Sequence, residues 1–200
     1  VVKEDWKETF NGVEYYLGSD GYLYEKVTAN PYVGSSAQTT TMRFSNSSST
    51  SDIIKKNEIY YFKLEPIIWR VLKESDGSAF LLSVSALTAS KFGDSVTYAG
   101  STIESYLKGD FYNKAFTSSA KNKINSKVDV ATSGDGTIDE TTVGTTETGS
   151  TVFLLGYKDV INTSYGFNSS DSTEDTARVK YPTDYAGANY AYRDSTANCG

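Results

Sequence analysis

Histidine is absent from this sequence of 200 residues, and cysteine, methionine and tryptophan are rare, with one, one and two copies. Without histidine, the chain lacks the usual general base, the commonest metal-binding side chain and the partner that activates serine or cysteine nucleophiles. The single cysteine, Cys199, cannot form a disulfide within the chain. We therefore expect a protein that is not an enzyme and that has no disulfide framework.

Long apolar runs are also missing. The most apolar stretch, residues 80–89, is far shorter than the roughly 20 residues that span a membrane. The first residues show no basic region followed by an apolar one, so we expect any signal peptide to have been removed from this sequence. The sequence predicts no membrane insertion.

Positive charge is in deficit, because Lys and Arg total 19 against 25 for Asp and Glu, which gives a net charge of -6. Phosphate backbones and anionic membranes repel such a chain, so we expect no nucleic acid partner. Tyrosine is abundant, with 16 copies, and it stands beside many Ser, Thr and Asn residues. Tyrosine gives a strand an apolar body with a polar tip. This composition is typical of exported proteins and predicts an extracellular or surface-attached location.

The start of the chain predicts β-hairpins. Asn11-Gly12 and the Gly-Ser-Asp-Gly sequence at 18–21 supply the positive φ angles of tight turns, and residues 13–17 alternate at the period of a strand. We expect a three-stranded meander followed by a Ser/Thr-rich linker at 28–51. Together they define a predicted first domain at 1–57.

The clearest long hairpin lies further along, where two apolar runs flank a turn at Ser75-Asp76-Gly77. The runs cover residues 59–74 and 79–86, and they are almost continuously apolar. This pattern predicts central strands that are covered on both faces, with Trp69 buried between them. Residues 151–157 predict another buried strand.

Helix signals follow the hairpin. Ser101 and Glu104 have the spacing of a capping box, in which each side chain accepts a hydrogen bond from the other residue's backbone N–H. Gly109 predicts the end of that helix. Thr117 and Thr183 predict two further caps, and residues 158–167 begin another short helix. The order of elements predicts an α+β fold, with a hairpin-rich sheet and short helices on one side, over a second domain at 58–200.

Two patterns suggest catalytic or metal chemistry, and both have a plainer interpretation. Ser118 and Lys121 have the S-x-x-K spacing, but the partner motifs are missing, so a solvated helix start is favoured. A Gly-containing loop offers oxygen ligands of the kind that calcium prefers, although not at EF-hand spacing. These are Asp129, Asp135, Asp139 and Glu140. A solvated loop is favoured there, calcium is the alternative, and no other cofactor is expected.

Five segments resemble, in order and spacing, an uncharacterised domain family that is common in exported proteins of Gram-positive gut bacteria. They are EPIIWRVL (65–72), FLLS (80–83), STIESYLKGDFYNKAFTSS (101–119), VFLLG (152–156) and ARVKYPTDYA (177–186). This pattern is similar to the C-type-lectin-like and formylglycine-generating-enzyme-like fold, which implies an α+β scaffold used for ligand binding. The chain departs from that fold's cysteine pair and from its Glu-Pro-Asn and Trp-Asn-Asp sugar-binding motifs.

The resemblance also implies apolar strands after residue 200 that complete the second sheet. We therefore expect the domain to be incomplete at its C-terminal end. The strand predicted at 151–157 would then have an open edge that can pair with another chain.

These observations favour a non-enzymatic, secreted or cell-surface binding or adhesion module. Its exposed tyrosines would contact a glycan or a host protein, because tyrosine offers a rigid ring and a hydroxyl. The alternative is a structural spacer domain of a larger surface protein, which the Ser/Thr-rich linker supports. A hydrolase that uses two carboxylates is a third hypothesis.

Overall fold

The computed structural model describes most of the chain, and contacts divide it into two compact units. The described residues are 2–32, 44, 53–94, 98–125, 130–131, 146–147, 150–170 and 172–191. The first unit comprises Val1–Arg70, Leu81–Ala89 and Val179–Gly200. The second comprises Val71–Phe80 and Ser90–Arg178.

Antiparallel strands and short helices make up the described structure, which therefore has the predicted α+β class. The strands are β1 (Val2–Phe10), β2 (Val13–Gly18), β3 (Leu23–Thr28), β4 (Ile59–Lys63), β5 (Trp69–Ser75), β6 (Ser78–Ser83), β7 (Val130–Ala131) and β8 (Thr146–Glu147). The helices are α1 (Thr102–Tyr106), α2 (Tyr112–Ala115), α3 (Ser118–Lys121), α4 (Tyr157–Val160) and α5 (Asp184–Ala188). A π-helical turn covers Leu107–Phe111, and a 3-10 turn covers Thr163–Tyr165. No helix in these ranges is long and apolar enough to cross a membrane.

Strands β1 to β4 form one antiparallel sheet in that order. The predicted meander is confirmed: Asn11 and Gly12 join β1 to β2 with φ angles of 48° and 78°, which are those of a type I′ turn. Strand β4 then pairs with β3. The predicted boundary after residue 57 falls between these two strands in the sequence. The structure pairs the strands on either side of it, while the division into domains stays a prediction.

The inner face of this sheet carries the core of the first unit. Val27, Ala29, Ile54 and Ala188 form a buried cluster, and aromatic side chains of β4 pack against it. Helix α5 brings Ala188 to the sheet, and the backbone N–H of Asn30 donates to its carbonyl oxygen at 2.7 Å. The helix backbone approaches this closely because its inward side chains are alanines, which the core buries completely.

The predicted cap of this helix is confirmed. The Oγ1 atom of Thr183 accepts a hydrogen bond from the backbone N–H of Ala186 at 3.1 Å. The residue before Thr183, Pro182, lies opposite Ala86 in an isolated parallel bridge. The cap therefore starts α5 at the point where the chain reaches the first unit again.

Strands β5 and β6 form a separate two-stranded hairpin. Its predicted turn is confirmed, with positive φ angles of 51° at Asp76 and 74° at Gly77. The prediction of strands covered on both faces is wrong, because Ile68, Val71 and Leu81 are 70%, 50% and 41% exposed. Trp69, predicted to be buried, is only half-buried.

The physical reason is that one apolar run serves two sheets. Pro66 has no backbone N–H and lies between β4 and β5, where it interrupts the strand. The residues before it join the four-stranded sheet, and those after it pair with β6 in a separate two-stranded sheet. A run that is divided in this way cannot form the central strands of one sheet.

The core of the second unit is built on a continuous helical segment, formed by α1, the π-helical turn and α2. Tyr98, Ile103 and Leu107 are its buried centre. The predicted helix end at Gly109 is wrong, because that glycine lies inside the π-helical turn. The helix continues there because Tyr106 and Phe111 keep packing against the same cluster.

The segment before α4 does not form the predicted strand. Residues 151–156 have an irregular backbone, and Val152 and Phe153 pack against the helical core instead. Phe153 also stacks on Phe80, with 5.8 Å between the ring centroids. Both the strand and the open strand edge predicted at 151–157 are therefore wrong, because side-chain packing on a helix, not pairing in a sheet, satisfies these apolar residues.

Candidate functional site

The outer face of the four-stranded sheet carries aromatic and charged side chains in register. Lys7 lies opposite Tyr16, Tyr16 opposite Tyr24, and Tyr24 opposite Lys63. Directly paired residues of antiparallel strands point to the same side of a sheet. A row of two tyrosines between two lysines therefore crosses all four strands.

Neighbouring residues extend this row into a surface. Lys26 lies two residues after Tyr24 on β3, and it pairs with Tyr61 of β4 on the same side of the sheet. We call the whole surface the tyrosine face. Its members are Glu4, Lys7, Glu14, Tyr16, Asp20, Tyr22, Tyr24, Lys26, Tyr61 and Lys63.

Four of these residues meet in one corner. The rings of Tyr16 and Tyr61 are nearly perpendicular at 82°, with centroids 5.9 Å apart. The Lys26 ammonium lies 5.7 Å from each centroid. The Glu4 carboxylate accepts hydrogen bonds from Lys26 Nζ at 3.2 Å and from the Tyr61 hydroxyl.

Glu4 reaches this corner because of an irregularity in β1. The pairing of β1 with β2 shifts register between Lys3 and Lys7, and Glu4 lies within this irregular stretch. Hydrogen bonds from Tyr61 and Lys26 lower the pKa of the Glu4 carboxyl, and the hydrogen bond to Glu4 raises the pKa of the Lys26 ammonium. Both groups therefore stay charged near neutral pH.

The other end of the face is built around a turn. The Tyr24 hydroxyl donates to the Asp20 carboxylate at 2.7 Å, and this hydrogen bond lowers the pKa of the Asp20 carboxyl. The ammonium of Lys63 lies 3.3 Å from the centroid of the Tyr22 ring, in a cation–π contact. Tyr22 is 52% exposed, so its ring remains accessible.

A second polar cluster is buried in the second unit. The Oγ atom of Ser101 accepts from the backbone N–H of Glu104 at 3.2 Å, which confirms the predicted cap. The other half of the predicted capping box is wrong. The backbone N–H of Ser101 donates to the carbonyl oxygen of Tyr98 and not to the Glu104 carboxylate. That carboxylate accepts instead from Gly100 N at 2.5 Å and pairs with the Lys108 ammonium.

The neighbouring Tyr98 hydroxyl stays protonated. Burial raises the pKa of Tyr98 to about 12, and the Glu104 carboxylate adds to the shift. The hydroxyl has no hydrogen-bond partner of normal geometry among the residues that the structure describes. Both carboxylate oxygens of Glu104 are engaged. The Glu104 carboxylate therefore uses both of its oxygens to fix the start of the helix.

Replacement of Ser101 with alanine is expected to lower the free energy of unfolding by about 1 kcal/mol, because the N–H of Glu104 loses its acceptor. Urea denaturation followed by circular dichroism measures this change. Ser101→Gly is the control, and it should lower the free energy of unfolding by only a few tenths of a kcal/mol. Equal stability of the wild type and Ser101→Ala would contradict the role of Ser101 as a cap.

The other motif residues have separate positions. Thr117 caps α3, as predicted, by accepting from Ala120 N at 3.1 Å. The ammonium of Lys121 donates to the Asn113 side chain at 2.9 Å and lies over the Tyr112 ring. The lysine of the S-x-x-K pattern is thus held by side chains of α2.

The candidate calcium ligands lie outside the described residues. They are Asp129, Asp135, Asp139 and Glu140. Within the ranges given above, no three acidic, histidine or cysteine side chains meet in a possible metal site. Calcium binding by this loop stays a prediction.

Part of the chain matches a known protein family. No curated protein and no solved structure matches the chain. Residues 76–199, which are more than half of the chain, match the family described as a domain of unknown function (DUF6273). This segment contains the buried Glu104 cluster, whereas the tyrosine face precedes it. The chain belongs to the DUF6273 family.

Proposed function

We propose that this protein is a non-enzymatic binding module that holds carbohydrate on its tyrosine face. The observation that carries the proposal is the row of two tyrosines and two lysines that crosses all four strands. Tyrosine offers a flat apolar ring and a hydroxyl at a low cost in conformational entropy. Sugars present both apolar C–H faces and hydroxyl groups, so one ligand engages both features.

The charges of the face favour a polar ligand over an apolar protein surface. Lys7 pairs with Glu14 at 2.7 Å, and Lys26 pairs with Glu4 at 3.2 Å. Positive and negative groups therefore occur in pairs beside the rings. Their exposed oxygen and nitrogen atoms can exchange water for sugar hydroxyls, whereas an apolar partner would desolvate them without compensation.

The setting of the module is part of the same proposal. The tyrosine-rich, cysteine-poor composition supports an extracellular or surface-attached location in a Gram-positive bacterium. The five segments that resemble the uncharacterised domain family support a C-type-lectin-like arrangement. Antiparallel sheets with short helices are compatible with it. The structural spacer is the alternative that holds if no ligand binds.

A glycan array tests the proposal. We expect the wild type to bind a set of glycans and the Tyr22→Ala/Tyr24→Ala variant to bind them about 10-fold more weakly. Two aromatic contacts of about 0.5–1.5 kcal/mol each account for this loss. Titration calorimetry with a bound glycan measures the change.

The matched control is Tyr181→Ala. Tyr181 is 49% exposed, close to the 52% of Tyr22, but it lies outside the tyrosine face. This variant should bind like the wild type. Silence of the wild type on the array would overturn the proposal, as would an equal loss of affinity in Tyr181→Ala.

A further inference from the structure

We infer that the corner of Tyr16, Tyr61 and Glu4 binds the ammonium group of an amino sugar, and that Lys26 is its displaceable occupant in the free protein. The inference rests on the proposed function and names the class of carbohydrate. Its ligands are glycans with free amino groups, such as oligomers of glucosamine.

The corner has the chemistry of a cation site. The two rings stand at 82° to each other, so two aromatic walls face one point. The Lys26 ammonium lies 5.7 Å from both centroids, at the distance where the ring quadrupole attracts a cation. The Glu4 carboxylate forms a third, anionic wall. The protein thus already holds a primary ammonium at this point.

Lys26 can leave the corner readily. Its side chain is 34% exposed, and that of Glu4 is 63% exposed. An ion pair this accessible to water contributes little to stability. The lysine stem is flexible, so its ammonium can move into solvent while the backbone of β3 stays in place.

A cation is the ligand that fits the vacated corner. When Lys26 moves away, the Glu4 carboxylate keeps its negative charge and its hydrogen bond from Tyr61. A neutral sugar would cover this charge without balancing it, which is unfavourable. An amino sugar replaces one ammonium with another and adds the contacts of its ring to the neighbouring tyrosines.

Two oligomers of equal length provide the test, one of glucosamine and one of N-acetylglucosamine, because acetylation converts the ammonium group into a neutral amide. By titration calorimetry, we expect the wild type to bind the glucosamine oligomer at least 10-fold more tightly. Lys26→Met should bind it several-fold more tightly than the wild type, since the internal competitor is gone. Glu4→Gln should abolish the preference for the free amine.

Lys55→Met is the matched control, because Lys55 forms an exposed ion pair with Glu58 outside the tyrosine face. It should leave the preference unchanged. Equal binding of the two oligomers would overturn the inference and leave carbohydrate binding intact. The same conclusion would follow if other glycans bound on the array while neither oligomer bound. No gain in Lys26→Met would overturn displacement. Failure of every glycan would overturn both proposals.

Discussion

Replacement of Gly93 with alanine is expected to lower the free energy of unfolding by about 2–6 kcal/mol. Gly93 has a φ angle of 107°, where an L-residue is strained. An added Cβ would also lie 2.7 Å from Thr102 Oγ1 and 3.0 Å from the Thr102 backbone nitrogen. Backbone strain and overpacking each cost about 1–3 kcal/mol.

Thr102 cannot simply move away. Its backbone N–H donates to the carbonyl oxygen of Phe92 at 2.9 Å, at the first turn of α1. Any shift that relieves the contact weakens this hydrogen bond. Urea denaturation measures the free energy of unfolding.

Gly109→Ala is the control for the Gly93 variant. A Cβ at Gly109 meets no atom within 4 Å, and the residue lies inside a helical segment. This substitution should raise the stability by up to about 1 kcal/mol, since alanine favours helix more than glycine does. A Gly93→Ala variant as stable as the wild type would contradict the described contact with Thr102.

Replacement of Glu104 with alanine is expected to lower the free energy of unfolding by about 2–3 kcal/mol. The variant leaves the N–H of Gly100 without its carboxylate acceptor in a part-buried position. It also removes the partner of Lys108. Loss of one partner of a fully buried pair costs about 3–5 kcal/mol. The value expected here is smaller, because the Lys108 side chain is 32% exposed and can reach water.

Glu104→Gln separates the two contributions. The amide oxygen can still accept from Gly100 N, whereas the ion pair with Lys108 is lost. We expect this variant to lose about half as much stability as Glu104→Ala, measured by chemical denaturation at neutral pH. An Ala variant that unfolds at the same urea concentration as the wild type would refute the role of Glu104 in holding the helix start.

Turns and helix caps could be predicted from the sequence because their chemistry is local. Asn11-Gly12 and Asp76-Gly77 adopt the positive φ angles that these pairs favour. Ser101 and Thr183 accept the backbone N–H groups expected of caps. In each case the partner lies a few residues away, so the pattern alone defines the structure.

Burial could not be predicted in the same way, since it depends on distant partners. Residues 152–156 have the apolar composition of a strand, yet Val152 and Phe153 pack on a helical core. The outer face of the four-stranded sheet could also be predicted only in part. Alternation in β2 indicates that Tyr16 and Tyr15 point to opposite sides. By contrast, the sequence carries no signal for the register shift in β1 that brings Glu4 to Lys26 and Tyr61.

The docking of α5 on the four-stranded sheet has a consequence for the order of folding. The hydrogen bond from the Tyr185 hydroxyl to Glu25 joins residues 160 positions apart in the chain. During synthesis, β1 to β4 leave the ribosome long before α5, so the inner face of their sheet stays exposed until the helix is made. Such long-range closure slows folding and leaves apolar surface open to other chains. A nascent chain halted before residue 184 should therefore aggregate or recruit chaperones, even though its hairpins have already formed.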